Sequence, residues 1–327
     1  MARFLPAWYE APEGELRMPH WLLAASAPLT LLTALPIAAG QNAATQASTV
    51  DVIKGDHDGH QRLTVPVRIG RHGPYDFLID TGAERTVLAR GLAERLGLAP
   101  SGRATLMGVA GSIAVDLVDV AEVRLGSRTF FDLSAPLLEG SHIGADGIIG
   151  LDGLQNQRVL IDFRRNLIAV DDAKALGGNR GYEIVVRARR RGDQLIMTNA
   201  VVDGVKTDVI IDTGAQNSIG NRALQRALAR KRLAEQTKLT SVTGQQILAD
   251  IVYARRIRLG NLDLTQMPVA FADAPPFLRL GLHDKPALLL GMGQLRAFNR
   301  VAIDFEAKKI LFDIPPQEGI AINSNRW

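Results

Sequence analysis

The hydrophobic positions of this chain fall mostly in short strand-like runs. Leu63, Val65, Val67 and Ile69 alternate with other residues, which predicts a half-buried strand. His72-Gly73-Pro74 predicts the turn into a second strand, which ends in the apolar run Phe77-Leu78-Ile79. Leu88, Leu92 and Leu96 then recur at helical spacing and predict a short helix. The stretch 106–113 carries Gly108 and Gly111 inside a strand pattern, which predicts a hairpin running into a strand over 114–125. The charged segment 171–193 predicts the connection between two halves, with a strand over 182–187.

The second half repeats the first. Val209-Ile210-Ile211 matches Phe77-Leu78-Ile79, and each run leads directly into Asp-Thr-Gly-Ala: residues 80–83 and 212–215. Ala223, Leu224, Ala227 and Leu228 repeat the helical stripe, and Leu239 to Gln245, with Gly244, repeats the glycine hairpin. Ile148-Ile149-Gly150 is matched by Leu289-Leu290-Gly291, and Val159-Leu160-Ile161-Asp162-Phe163 by Val301-Ala302-Ile303-Asp304-Phe305. A single Asp-Thr-Gly is weak evidence, because Asp and Gly are ordinary turn residues. Two copies in matching contexts read as one supersecondary unit used twice.

Composition changes this picture little. A chain of 327 residues holds two lobes with a sizeable core, and 46% hydrophobic residues argues against disorder. The absence of cysteine excludes thiol catalysis and a disulfide framework. Arg189-Arg190-Arg191 and Arg255-Arg256-Ile257-Arg258 have no interleaved aromatics, so they read as solvated strand-edge or loop positions, and no nucleic-acid partner is expected.

Residues 21–40 carry no charge, contain Pro28 and Pro36, and end in Ala38-Ala39-Gly40. That reads as the apolar part of a signal peptide, with a membrane anchor as the alternative and Met18 as an alternative start. The expected organisation is a leader and linker over 1–47, a first lobe over 48–176 and a second over 177–327. The lobes are expected outside the cytoplasm, periplasmic or secreted, with membrane association possible through residues 21–40. Asp56-His57-Asp58-Gly59-His60 has ligand residue types, but it sits in a Gly-containing stretch ahead of the first strand and reads as a solvated loop.

The paired carboxylates carry the chemistry. Hydrolysis of a peptide needs an activated water and a proton for the leaving amine, and two acids can supply both if one is ionised and the other protonated. Carboxylates held close together cannot readily both ionise, so Asp80 and Asp212 would share a proton. Gly82 and Gly214 would let backbone N–H groups approach the carboxylates, and Thr81 and Thr213 could lock the two turns together by their hydroxyls. No cofactor and no metal are needed.

The two Asp-Thr-Gly-Ala loops, each with a later apolar-apolar-Gly and a glycine hairpin, resemble the aspartic peptidases of the pepsin and retropepsin group. The single chain with both halves looks like the bacterial exported type. The resemblance covers residues 63–312 and implies an all-β, bilobal fold of two barrel-like lobes related by a pseudo-two-fold axis, with short helices. It implies catalysis by Asp80 and Asp212, supported by Thr81, Gly82, Ala83, Thr213, Gly214 and Ala215. It further implies that Ile149-Gly150 and Leu290-Gly291 pass behind the dyad. Gly108, Val109, Ala110 and Gly111, with Ser241, Val242, Thr243 and Gly244, would form flaps over a polypeptide substrate. Glu84 and Gln216 would face that substrate, one side of the cleft being more acidic. Ala83 and Ala215 stand where pepsin-like enzymes have Ser or Thr, and the pepsin flap tyrosine has no counterpart.

Three readings follow: an endopeptidase working as a monomer, a catalytically silent peptide-binding module on the same fold, and a metal-dependent hydrolase using Asp80, Asp212, His57 and His60. The intact duplicated motif favours the first. Val109, Ile113, Val242 and Ile247 imply an apolar lining and large apolar residues beside the cut.

Overall fold

The computed structural model describes residues 63–126, 128–228 and 235–315, with short strands at Ala2–Leu5, Trp8–Tyr9, Ile53–Lys54, Asp56–His57 and Ile320–Ile322. The alternating run forms the strand Leu63–Ile69, burying Val65, Val67 and Ile69 while Pro66 and Arg68 face solvent. Its reversal comes earlier than expected. Gly70 takes a φ of 56°, and Ile69 pairs with His72, so His72-Gly73-Pro74 lies inside the strand His72–Ile79. Glycine supplies that positive φ without a Cβ clash.

The leucine stripe is also divided differently. Leu88 belongs to the strand Val87–Ala89, which pairs with Leu137-Leu138 on one side and with Gly147-Ile148 on the other. The helix begins only at Arg90, running Arg90–Arg95, with Leu92 and Ala93 buried. Strand pairing on both sides overrides the local helical spacing. In the second half the helix is Arg222–Ala227, capped by Asn221, whose side chain accepts from Leu224 N–H at 2.8 Å. It buries Ala223 and Leu224, while Ala227 is exposed.

The protein is all-β and two-lobed. Among the described residues each half is built on one large sheet, of 9 and 10 strands with Trp8–Tyr9 at the edge of the second, and a 6-stranded sheet joins them. In the joining sheet the two copies of the closing strand, Arg158–Asp162 and Arg300–Asp304, pair antiparallel, with Leu160 opposite Ala302. Val159 faces Ile303 and Ile161 faces Val301, so the repeat meets itself about a local two-fold axis. Arg158 and Asp304 form a buried ion pair at 2.7 Å in that register. The connecting strand is Ile184–Arg187, paired with Lys309–Asp313 in the same sheet.

Arg189–Arg191 is an exposed edge strand of the ten-stranded sheet, as the charge pattern suggested. Arg255, Arg256 and Arg258 lie on the interior strand Gln246–Leu259, where Arg258 pairs with Asp263 at 2.8 Å. Asp56–His57, expected as loop, pairs with Leu63-Thr64 as a strand; residues 58–60 lie outside the described residues. The apolar segment 21–40 also lies outside them. Among the described residues no helix is long and apolar enough to cross a membrane.

Candidate active site

Each Asp-Thr-Gly-Ala loop is set by two parallel strands. His72–Ile79 ends just before Asp80 and pairs with Gly147–Ile149, and Asp80 N–H donates to the Ile149 carbonyl at 3.0 Å. In the second half Val205–Ile211 pairs with Ala287–Leu290, and Asp212 N–H donates to Leu290 at 3.0 Å. The turn then folds its own amides onto the carboxylate. Gly82 and Ala83 N–H donate to Asp80 Oδ1 at 2.7 and 3.2 Å. Gly214 and Ala215 N–H donate to Asp212 Oδ1 at 3.1 and 3.0 Å. Asp80 is 1% exposed and Asp212 0%. Gly214 lies directly against the Asp80 carboxylate.

The threonines tie the loops across the lobes. Thr81 N–H donates to Thr213 Oγ1 at 3.0 Å, and Thr213 N–H donates to Thr81 Oγ1 at 3.3 Å. Thr81 Oγ1 donates to the Ile211 carbonyl at 3.0 Å and Thr213 Oγ1 to that of Ile79 at 2.7 Å. Replacing either threonine by valine leaves a buried N–H and a buried carbonyl without partners. We expect each variant to lose about 2–3 kcal/mol in urea unfolding. The double variant should lose less than the sum, since both remove one network.

Gly150 and Gly291 pass directly behind the loops. A Cβ on Gly150 would overlap the Arg85 backbone, and one on Gly291 would sit 2.6 Å from the Asn217 carbonyl oxygen. Two further side-chain pairs fix this crossing, and the motif gave no sign of them. Asp152 accepts from Thr86 Oγ1 at 2.8 Å, while Thr86 Oγ1 also accepts from Gly150 N–H at 3.3 Å. In the second half Ser218 Oγ donates to Gln294 Oε1 at 2.6 Å and accepts from Gly291 N–H at 2.9 Å. The roles match while the residues differ, so a search for identical letters misses them. Burial pushes the Asp152 carboxyl up, and the bonds from Thr86 oppose this.

Burial, and then the charge of Asp80, hold the Asp212 carboxyl well above its ordinary range; the N–H groups of Ala215 and Gly214 pull the other way. A carboxyl raised by folding adds stability that is present in acid and lost as pH rises through its folded value. Asp212→Asn should therefore raise Tm at neutral pH, with the gain shrinking towards acid. A gain independent of pH would contradict this coupling.

Both glycine hairpins expected from the sequence are present. One is formed by Pro100–Gly108 and Gly111–Leu125, with Val109 and Ala110 at its tip; the other by Glu235–Ser241 and Gln246–Leu259, with Val242, Thr243 and Gly244. Val109 and Val242, expected to line the cleft, are both buried, Val109 among side chains of the second half that include Ile210 and Ala215. Ile113 and Ile247 are partly buried. Gly111 packs against the Gln245 amide and Gly244 against the His142 ring, so each tip touches another part of the chain. The outer strands of the hairpins also pair with extended backbone: Ala2–Leu5 runs parallel to residues 105–108, and Trp8–Tyr9 runs antiparallel to Thr240-Ser241.

At the rim, Glu84 is met by Arg279, whose Nη2 lies 3.4 Å from the carboxylate, so the acidity expected on that side is countered. The Gln216 side-chain oxygen is buried. Gln194, which no motif signalled, donates from Nε2 to the Gly82 carbonyl at 2.7 Å. Among the described residues no group of three or more His, Cys, Asp or Glu could hold a metal ion.

A sequence model of the family described as aspartyl protease matches residues 65–152 and again 198–293, together more than half of the chain. The chain is also 29% identical over 117 residues to DNA damage-inducible protein 1 of Yarrowia lipolytica. That match covers 35% of this chain and spans 28% of the yeast protein's length.

Proposed function

The chain belongs to the aspartyl protease family, and from that premise we propose that it is an active endopeptidase cleaving extended polypeptide segments with a water held between Asp80 and Asp212. Asp80 acts as the ionised partner and takes a proton from the water as its oxygen attacks the scissile carbonyl carbon. Asp212, protonated, gives its proton to the carbonyl oxygen, which yields a neutral tetrahedral diol. Asp80 then returns its proton to the amine nitrogen as the C–N bond breaks. One diol hydroxyl passes its proton to Asp212, which restores the starting pair.

The observation that carries this reading is the pair of buried carboxylates, each held at Oδ1 by two amides of its own loop and both joined through the Thr81–Thr213 bonds. Such a pair is preorganised and needs little rearrangement during reaction. The extended backbone on both flap strands supports an extended substrate read by backbone hydrogen bonds and alternating side chains.

The test is to incubate the purified protein with a denatured protein mixture and map the cuts by mass spectrometry. Cleavage between large apolar residues, stopped by a pepstatin-type inhibitor and indifferent to chelators, is expected. Binding without cleavage would favour the silent module, and chelator sensitivity the metal hydrolase. With alanine rather than a hydroxyl residue at 83 and 215, the carboxylates lack one donor to their charged form. The pH profile should then be bell-shaped and centred in the weakly acidic to near-neutral range. A centre in strong acid would overturn that part.

We further propose that the lobes work outside the cytoplasmic membrane, on the strength of the uncharged segment 21–40. Fractionation of cells making a C-terminally tagged chain should find the tag outside the cytoplasm. A soluble cytoplasmic tag with residues 1–40 attached would remove this proposal.

A further inference from the structure

Gln194 opens the strand Gln194–Val202 of the second half, yet its amide reaches the catalytic loop of the first. The side chain is 2% exposed, and Nε2 donates to the Gly82 carbonyl at 2.7 Å. Turning the amide over would set its oxygen against that carbonyl, so the donor must face Gly82. Its own oxygen is buried with no hydrogen-bond partner, an arrangement that costs stability where an apolar side chain would not.

The Gly82 carbonyl belongs to the same peptide unit as Ala83 N–H, and Ala83 N–H donates to Asp80 Oδ1 at 3.2 Å. Gln194, the 82–83 peptide and Asp80 therefore stand in series across the two lobes. Hydrogen-bonded amides in series polarise one another, so the donor at one end strengthens the bond at the other. Among the described residues no side chain donates to the Gly214 carbonyl, and none of them gives Asp212 such a relay.

We propose that Gln194 is a positioning residue that makes the dyad unequal, drawing the negative charge onto Asp80 and leaving the shared proton on Asp212. This rests on the reading of Asp80 and Asp212 as a working dyad. The other charged groups around the loop are matched locally. Asp152 sits behind it on Thr86 with Arg85 nearby, Glu84 faces Arg279, and Asp193 beside Gln194 faces Arg190 and Gln155. Among the described residues Asp212 is a charge coupled directly to Asp80.

The experiment compares wild type, Gln194→Leu and Gln194→Glu by the pH dependence of kcat and KM on a peptide taken from the cleavage map. Loss of the donor should leave KM unchanged and lower cleavage on the acid limb by about threefold, equivalent to about half a pH unit, with little effect at the plateau. Gln194→Glu should behave as wild type where its carboxyl is protonated and can donate, and as Gln194→Leu above that range. A loss uniform across pH, or no change in the acid limb, overturns the proposal.

A thermal-unfolding cycle decides the same point without any substrate. The Tm advantage of Gln194 over Leu should grow with rising pH, because the relay favours charged Asp80, and should be flat in an Asp80→Asn background. Equal, pH-independent differences in both backgrounds would reduce Gln194 to a structural role. Failure of the wild type to cleave anything would instead fault the proposed activity and leave the thermal cycle standing. If Gln194→Leu does not fold, the isosteric Gln194→Glu carries both measurements.

Discussion

Asn in place of either Asp80 or Asp212 is expected to lower peptide cleavage by about a thousandfold or more while the protein stays folded. Asn keeps the shape of the side chain and can accept the loop N–H bonds now made to Oδ1 of each carboxylate. It cannot take up and return a proton, so the water loses its base or the carbonyl oxygen loses its acid. Both single variants should be equally silent, because the proton moves between two partners and either one missing stops the cycle. Turnover of either variant near the wild-type rate, measured with purified protein, would rule out a shared dyad.

Gly214→Ala should be nearly as damaging for a different reason. A Cβ at residue 214 would overlap the Asp80 carboxylate, whose position is already fixed by Gly82 and Ala83. Either Asp80 or the second loop must shift, and displacement of a reacting group by about 1 Å can cost roughly a hundredfold in rate. Overpacking at a buried site should also cost about 1–3 kcal/mol of stability. Gly91→Ala is the matched control. Gly91 lies in the helix Arg90–Arg95, with nothing nearer to its added Cβ than an arginine tip at 3.8 Å. That change should gain about 0.5–1 kcal/mol and leave cleavage unchanged. Equal effects of the two substitutions would show that the close packing at Gly214 carries no catalytic meaning.

The readable part of the site was the part encoded by short, repeated segments. An apolar strand, a turn with Asp and Gly, and a second apolar run ending in Gly each carry a local signal, and the chain prints each twice. The less readable part depended on pairing. Leu88 has the spacing of a helix with Leu92, and it became a strand because Leu137 and Gly147 flank it. Val109 and Val242 sit in glycine hairpins, where nothing local says how deeply an apolar tip is covered; both are buried. Glu84 was expected to make one side of the cleft more acidic, and Arg279, far along the chain, meets it.

Local patterns in the chain were enough to show two equivalent Asp loops, a buried strand before each, and a closing strand that recurs in both halves. Those are properties of neighbouring residues, which share backbone geometry and burial over a few positions. Folding alone settled which side chains meet within each half, Thr86 with Asp152 and Ser218 with Gln294, and that Gln194 of the second half reaches Gly82 of the first. Such contacts join residues far apart in the chain, and different side chains satisfy equivalent backbone groups in the two lobes. The symmetry of the two Asp loops was therefore written locally, while the contacts that differ between them, such as Gln194 with Gly82, arise from packing between the halves.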